Sequence, residues 1–155
     1  MKCFSIVFAL FALGITAVAE VKIPKSVYRA DEFEKAKADA KAKGKPVSIL
    51  YTSEKSTCPL CNNATLRAVK ELNGKTVMVY FDTKEGGYEK MPPAVKQAMS
   101  ASELGSYIPK LAVFDTEVTN AIAYVAYSND DKVLDKAYRE AGKKIREAKA
   151  PQATR

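Results

Sequence analysis

The chain is 155 residues long, 47% hydrophobic and carries a formal charge of +7, enough for one domain with a real core. Its lysines are interleaved with acids and form no compact stripe with aromatics between, so the charge reads as solvated helix faces and no nucleic acid partner is expected. The absence of histidine removes Ser/His/Asp and Cys/His triads and every histidine-containing zinc site.

Residues 1–19 read as a secretory signal peptide. Lys2 supplies the positive start, Phe4 to Leu13 the apolar stretch, and Ala17-Val18-Ala19 the cleavage site, leaving Glu20 as the first mature residue. An uncleaved membrane anchor is the alternative, but the apolar run is short for a span and carries Gly14 and Thr16. No stable membrane insertion is therefore expected after cleavage. The mature protein is expected to be secreted, or periplasmic if its source is a Gram-negative bacterium, where disulfides persist. Of the three cysteines, Cys3 lies in this leader, and the remaining two cannot alone close a structural zinc site. No metal is assigned.

Residues 20–30 read as a lead-in segment and 31–148 as the folded domain. Asp31 offers a helix N-cap, with Glu34 three residues on as a capping box. Phe33, Ala36 and Ala40 share one face, and Gly44 and Pro46 end that helix. Val47 to Tyr51 is a short apolar run with the character of a buried strand. A helix follows, with Ala64, Leu66, Ala68, Val69 and Leu72 at helical spacing and Gly74 as its stop. Thr76 to Asp82 is a second strand rich in β-formers, broken by Glu85-Gly86-Gly87. Pro92-Pro93 opens a short helix over Ala94 to Met99. Lys110 to Asp115 and Ala121 to Tyr127 are third and fourth strands joined as a hairpin. Asn129 or Asp130 caps a last helix running to about Ala148, with Leu134, Ala137, Tyr138, Ala141 and Ile145 facing inward. Residues 149–155 are a polar tail. This order predicts an α/β fold: one mixed sheet of about four strands with helices on both faces.

Cys58, Pro59, Leu60 and Cys61 stand where the first strand gives way to its helix. Pro59 suits the first helical turn, where a missing N–H costs nothing. Cys58 is thereby placed at a helix N-terminus, where unpaired N–H groups and the dipole favour a thiolate over a thiol. Three chemistries remain open for the pair at this level: redox exchange, a static disulfide, or a two-sulfur site for Cu(I). A bridge across so small a ring contributes roughly 2 kcal/mol in the chain-entropy model, which makes it a poor staple. Tyr124, Tyr127 and Tyr138 read as packing at the edge of the core, and Gly86-Gly87 as a plain turn.

At these residues the chain resembles the thioredoxin-like superfamily. The likeness rests on K-P-V-S-I-L-Y at Lys45 to Tyr51, C-P-L-C at Cys58 to Cys61, and I-P-K-L-A-V-F at Ile108 to Phe114, and spans about Asp31 to Ala148. It implies a thioredoxin-like fold and an extracytoplasmic thiol–disulfide oxidoreductase without an organic cofactor. Cys58 would be the attacking thiolate and Cys61 the resolving thiol, with a Cys58–Cys61 disulfide in the oxidised form. Pro109 would be cis, and the backbone of Ile108 would receive substrate beside Pro59 and Leu60. The partners implied are protein thiols or disulfides and, for a reductant, a membrane electron donor. The chain departs from thioredoxin in having Thr57 before the first cysteine and Pro59-Leu60 between the two. The family's buried Asp and its Lys partner fall at Leu50 and Val79, so the usual proton acceptor for Cys61 is absent, with Glu54, Lys55 or a substrate group as candidate substitutes. Pro59-Leu60 brings no charge and no side-chain donor to the reduced thiolate, which leans towards a reductant. A Cu(I) carrier and a non-catalytic interaction domain with a static disulfide are the alternative functions.

Overall fold

The computed structural model describes residues 21–149. The expected signal peptide and the tail beyond Lys149 lie outside the described residues. The elements are β1 (Tyr28–Arg29), α1 (Phe33–Lys43), β2 (Val47–Thr52), α2 (Pro59–Leu72), β3 (Val77–Asp82), α3 (Pro93–Met99), β4 (Lys110–Phe114), β5 (Ala121–Val125) and α4 (Asp131–Lys149).

The strands form one mixed sheet in the order β1-β3-β2-β4-β5. β1, β3 and β2 run parallel, while β4 is antiparallel to β2 and β5 to β4. The class is the α/β arrangement expected, with five strands rather than four. The added strand is β1, within the segment read as a lead-in. Val21, Ile23 and Val27 before it are buried in the core, so this segment packs as part of the domain. Two residues, Tyr28 and Arg29, are too few to carry a period, which is why the strand left no signal in the sequence.

Alternation along the strands sorts the core into two layers. Val47, Ile49, Val77, Val79, Phe81, Ala112 and Phe114 face α1 and α3, against Phe33, Ala36, Ala40, Val95 and Met99. Leu50, Met78, Tyr80, Leu111, Val113, Ala123 and Val125 face α2 and α4, against Ala68, Leu72, Leu134, Tyr138, Ala141 and Ile145. No helix among the described residues is long and apolar enough to cross a membrane.

Helix ends follow local chemistry. Gly44 closes α1 in the left-handed region at φ 59°, where a side chain would be strained. The capping box expected from Asp31 and Glu34 is displaced: a 3-10 turn over Ala30–Glu32 precedes α1, and Glu32 accepts from the Arg29 N–H. Asp130 starts α4, accepting from the Lys132 N–H at 2.8 Å. The β4–β5 hairpin is held by Asp115, which accepts from the N–H groups of Thr119 and Asn120.

Candidate functional site

The parallel strands β2 and β3 end at the same edge of the sheet, and β4, being antiparallel, begins there. The loop after β2 and the segment before β4 are therefore brought to one end. The first carries Cys58 and Cys61; the second carries Ile108 and Pro109, joined by a cis peptide bond.

Cys58 is the N-cap residue of α2, extended at φ −85° and ψ 110°, with Pro59 in the first turn. Its sulfur takes the place of a capping oxygen and accepts from the Cys61 N–H at 3.3 Å. The Cys61 thiol also donates to it, with the two sulfurs 2.8 Å apart; both are free thiols and half-buried. Donation from the Cys61 thiol, then from the N–H groups of Cys61 and Leu60, holds the Cys58 pKa below that of an ordinary thiol. Burial, then the neighbouring Cys58, pushes Cys61 up to about 11. One sulfur thus ionises well before the other.

The approach to Cys58 is shaped by its own loop. The Cys58 N–H donates to Ser56 Oγ at 3.2 Å, and Asn62 Nδ2 donates to the Ser56 carbonyl at 3.1 Å. Glu54 anchors the loop to the sheet. Its N–H donates to the Tyr80 hydroxyl at 2.9 Å, and its Oε1 accepts from the Ile23 N–H at 3.1 Å and from Arg29 Nη2 at 3.0 Å. The Arg29 guanidinium also lies over the Tyr80 ring, 5.0 Å from its centroid. Tyr80 in turn donates to Asp82 Oδ2, and the Lys84 N–H donates to Asp82 Oδ1 at 2.7 Å. Burial opposes the Asp82 charge, but these bonds outweigh it and its pKa stays below the usual carboxylate range. Burial and Asp82 together push the Tyr80 phenol far up, so it remains a donor. Gly87 completes this corner: a Cβ there would stand 2.2 Å from the Asp82 carbonyl oxygen, so only glycine fits.

Leu50 and Val79, expected in the places of a buried ion pair, lie in opposite layers of the core. The residue beside Leu50 across the strands is Tyr80, one position along. Neither place carries a charge. Glu54 is occupied by Ile23 and Arg29, and Lys55 pairs with Glu85 at 3.5 Å on the surface. Neither is among the groups that shift Cys61; those are burial and Cys58.

Pro59 and Leu60 are both exposed, Leu60 to 56%. Pro109 is buried and Ile108 half-buried. Tyr124 packs at the edge of the core and Tyr138 within it, as expected. Tyr127 is different. Burial, then the charges of Cys61 and Cys58, raise its phenol pKa, which places it within electrostatic reach of both sulfurs. Its ring also meets Tyr107, with centroids 6.3 Å apart. The hairpin supplies the reason: Leu111 pairs with Val125, and Tyr127 follows two residues on, at the end of the sheet where β4 begins.

No family model matches the chain, and no curated protein matches it. A solved structure described as a DsbH oxidoreductase is similar to it in fold, with a TM-score of 0.47 and 17% sequence identity, covering 88% of this chain and 94% of that one.

Proposed function

We propose that this chain is an extracytoplasmic thiol–disulfide oxidoreductase that exchanges two electrons with protein cysteines through Cys58 and Cys61, in the direction of substrate reduction. The observation that carries the reading is the asymmetry of the pair. Cys58 sits at the N-terminus of α2 with its pKa depressed, while Cys61, 2.8 Å away, is held protonated with a pKa of about 11. A static pair needs no such difference, whereas exchange needs one sulfur to attack and the other to wait.

The Cys58 thiolate attacks one sulfur of a substrate disulfide. A Cys58–substrate bond forms, the substrate S–S bond breaks, and the released substrate sulfur takes up a proton. Cys61 then loses its proton to solvent and its sulfur attacks Cys58. The mixed disulfide breaks, the substrate leaves as a dithiol and a Cys58–Cys61 disulfide remains. Each released substrate sulfur takes its proton from solvent, so substrate gains two electrons and two protons; the protein supplies both electrons and the Cys61 proton, and the second proton is the one Cys58 gave to solvent on ionising. Loss of charge from Cys58 on forming the mixed disulfide removes the repulsion that raises Cys61, so the second attack becomes easier once the first has occurred. Outside the cytoplasm a membrane electron donor would return the electrons.

The test is a Cys61→Ser variant incubated with a disulfide-bonded protein and read by intact mass. The expected result is a stable, dithiothreitol-sensitive adduct on Cys58. Absence of an adduct, together with no exchange by wild type, would leave the pair as a binding or structural feature.

A further inference from the structure

We propose that Tyr107 and Tyr127, together with Leu60, select the substrate: a polypeptide disulfide with a bulky apolar side chain beside the reacting cysteine. The inference rests on the oxidoreductase reading above and narrows it. Soluble chains bury most large apolar side chains, so those left exposed around a reactive group carry information. Here Tyr107 is 74% exposed and Leu60 56%. Leu60 stands one turn position past Pro59 on α2, and Tyr107 immediately precedes the cis Ile108–Pro109 bond. Tyr127 joins them, since its ring packs on Tyr107 and its phenol feels both sulfurs. Leu60 and Tyr127 also line one groove, with Asn63 and Arg67 along it.

That groove offers an incoming group no unpaired cation, and its balance is negative, since Asp131 also lines it. The Arg67 guanidinium is already bound by Asp131 at 2.7 Å and by Asp135. The loop residues next to Cys58 are Ser56 and Thr57, also uncharged. Two phenol rings and a leucine, beside a groove whose one cation is held by two carboxylates, fit an uncharged apolar side chain better than an acidic one. Because Ile108 and Tyr107 adjoin, a substrate backbone lying beside Ile108 would carry its neighbouring side chain onto the Tyr107–Tyr127 pair.

The experiment uses the reduced mature protein and three probes. Two are acetylated peptides cyclised by a Cys–Cys disulfide, alike except for Phe or Ser beside the first cysteine. The third is bis(2-hydroxyethyl) disulfide, which reports exchange without side-chain selection. Rate constants are read by acid quench and mass spectrometry for wild type, Tyr107→Ala and Tyr127→Ala. Wild type is expected to reduce the Phe peptide about tenfold faster than the Ser peptide, the size of one well-placed aromatic contact. In each variant the Phe/Ser ratio is expected to fall towards one. A wild-type ratio near one, or a ratio that survives in both variants, overturns the proposal. Reaction with none of the three probes removes the oxidoreductase reading itself, so the two failures are distinguishable.

Discussion

The two faces of the sheet are built differently although the same strands make both. Towards α1 and α3 the strands present Val47, Ile49, Val79, Phe81 and Phe114, a closed apolar layer. Towards α2 and α4 the same strands interrupt the apolar layer with paired polar groups. Ser48 Oγ meets Thr76 Oγ1 at 2.7 Å, Thr52 Oγ1 meets Thr65 Oγ1 at 3.1 Å, and Tyr80 bonds Asp82. Thr65 stands one helical turn beyond Cys61 on α2, so its pair with Thr52 lies beneath that thiol. Buried polar groups are tolerated only when satisfied, and each of the side chains just named has its partner. The apolar face supplies stability, and the mixed face supplies a place where thiols of different acidity can be held.

That division predicts separable effects. The largest belongs to the apolar face: Phe81→Ala should cost about 3–5 kcal/mol in urea unfolding, because the ring is fully buried and packs at 6.2 Å from Phe33. In whatever fraction stays folded, Cys58 should titrate as in wild type. Thr65→Val should cost less, about 1–3 kcal/mol, by leaving the Thr52 hydroxyl buried without its partner. If the two variants changed thiol reactivity equally, the faces would not be separable. Cys61→Ala should leave stability nearly unchanged and raise the pH midpoint of Cys58 alkylation, since the thiol that donates to Cys58 is gone. An unchanged midpoint would assign the depression to the backbone N–H groups alone. Smallest of all, Lys41→Ala should shift stability by under ~0.5 kcal/mol, since the Lys41–Glu117 pair at 3.1 Å is solvent-exposed.

Much of this was legible in the sequence because it is local. β-branched runs and a proline in the first turn marked β2, β3 and α2, and placed Cys58 at the junction. What was not legible depends on register. Leu50 and Tyr80 are neighbours only because β2 and β3 align as they do, and Val79 points the other way. Tyr127 reads as an edge aromatic in the sequence, and only the fold packs its ring on Tyr107 and lines one groove with it and Leu60. The Glu54–Tyr80–Asp82 anchor joins a loop to the end of a strand 26 and 28 residues away, with no motif to announce it. β1 escaped for a different reason: its two residues are held by tertiary pairing rather than by any pattern of their own.

The most direct test is the pH dependence of alkylation at each sulfur of the reduced protein, read by mass spectrometry after a short iodoacetamide pulse. Alkylation follows the thiolate, so a depressed pKa means the rate reaches its plateau at lower pH. The account predicts that Cys58 reacts with a midpoint below that of a free cysteine, while Cys61 stays protected until the pH nears 11. Equal rates at both sulfurs, with the midpoint of an ordinary thiol, would contradict it.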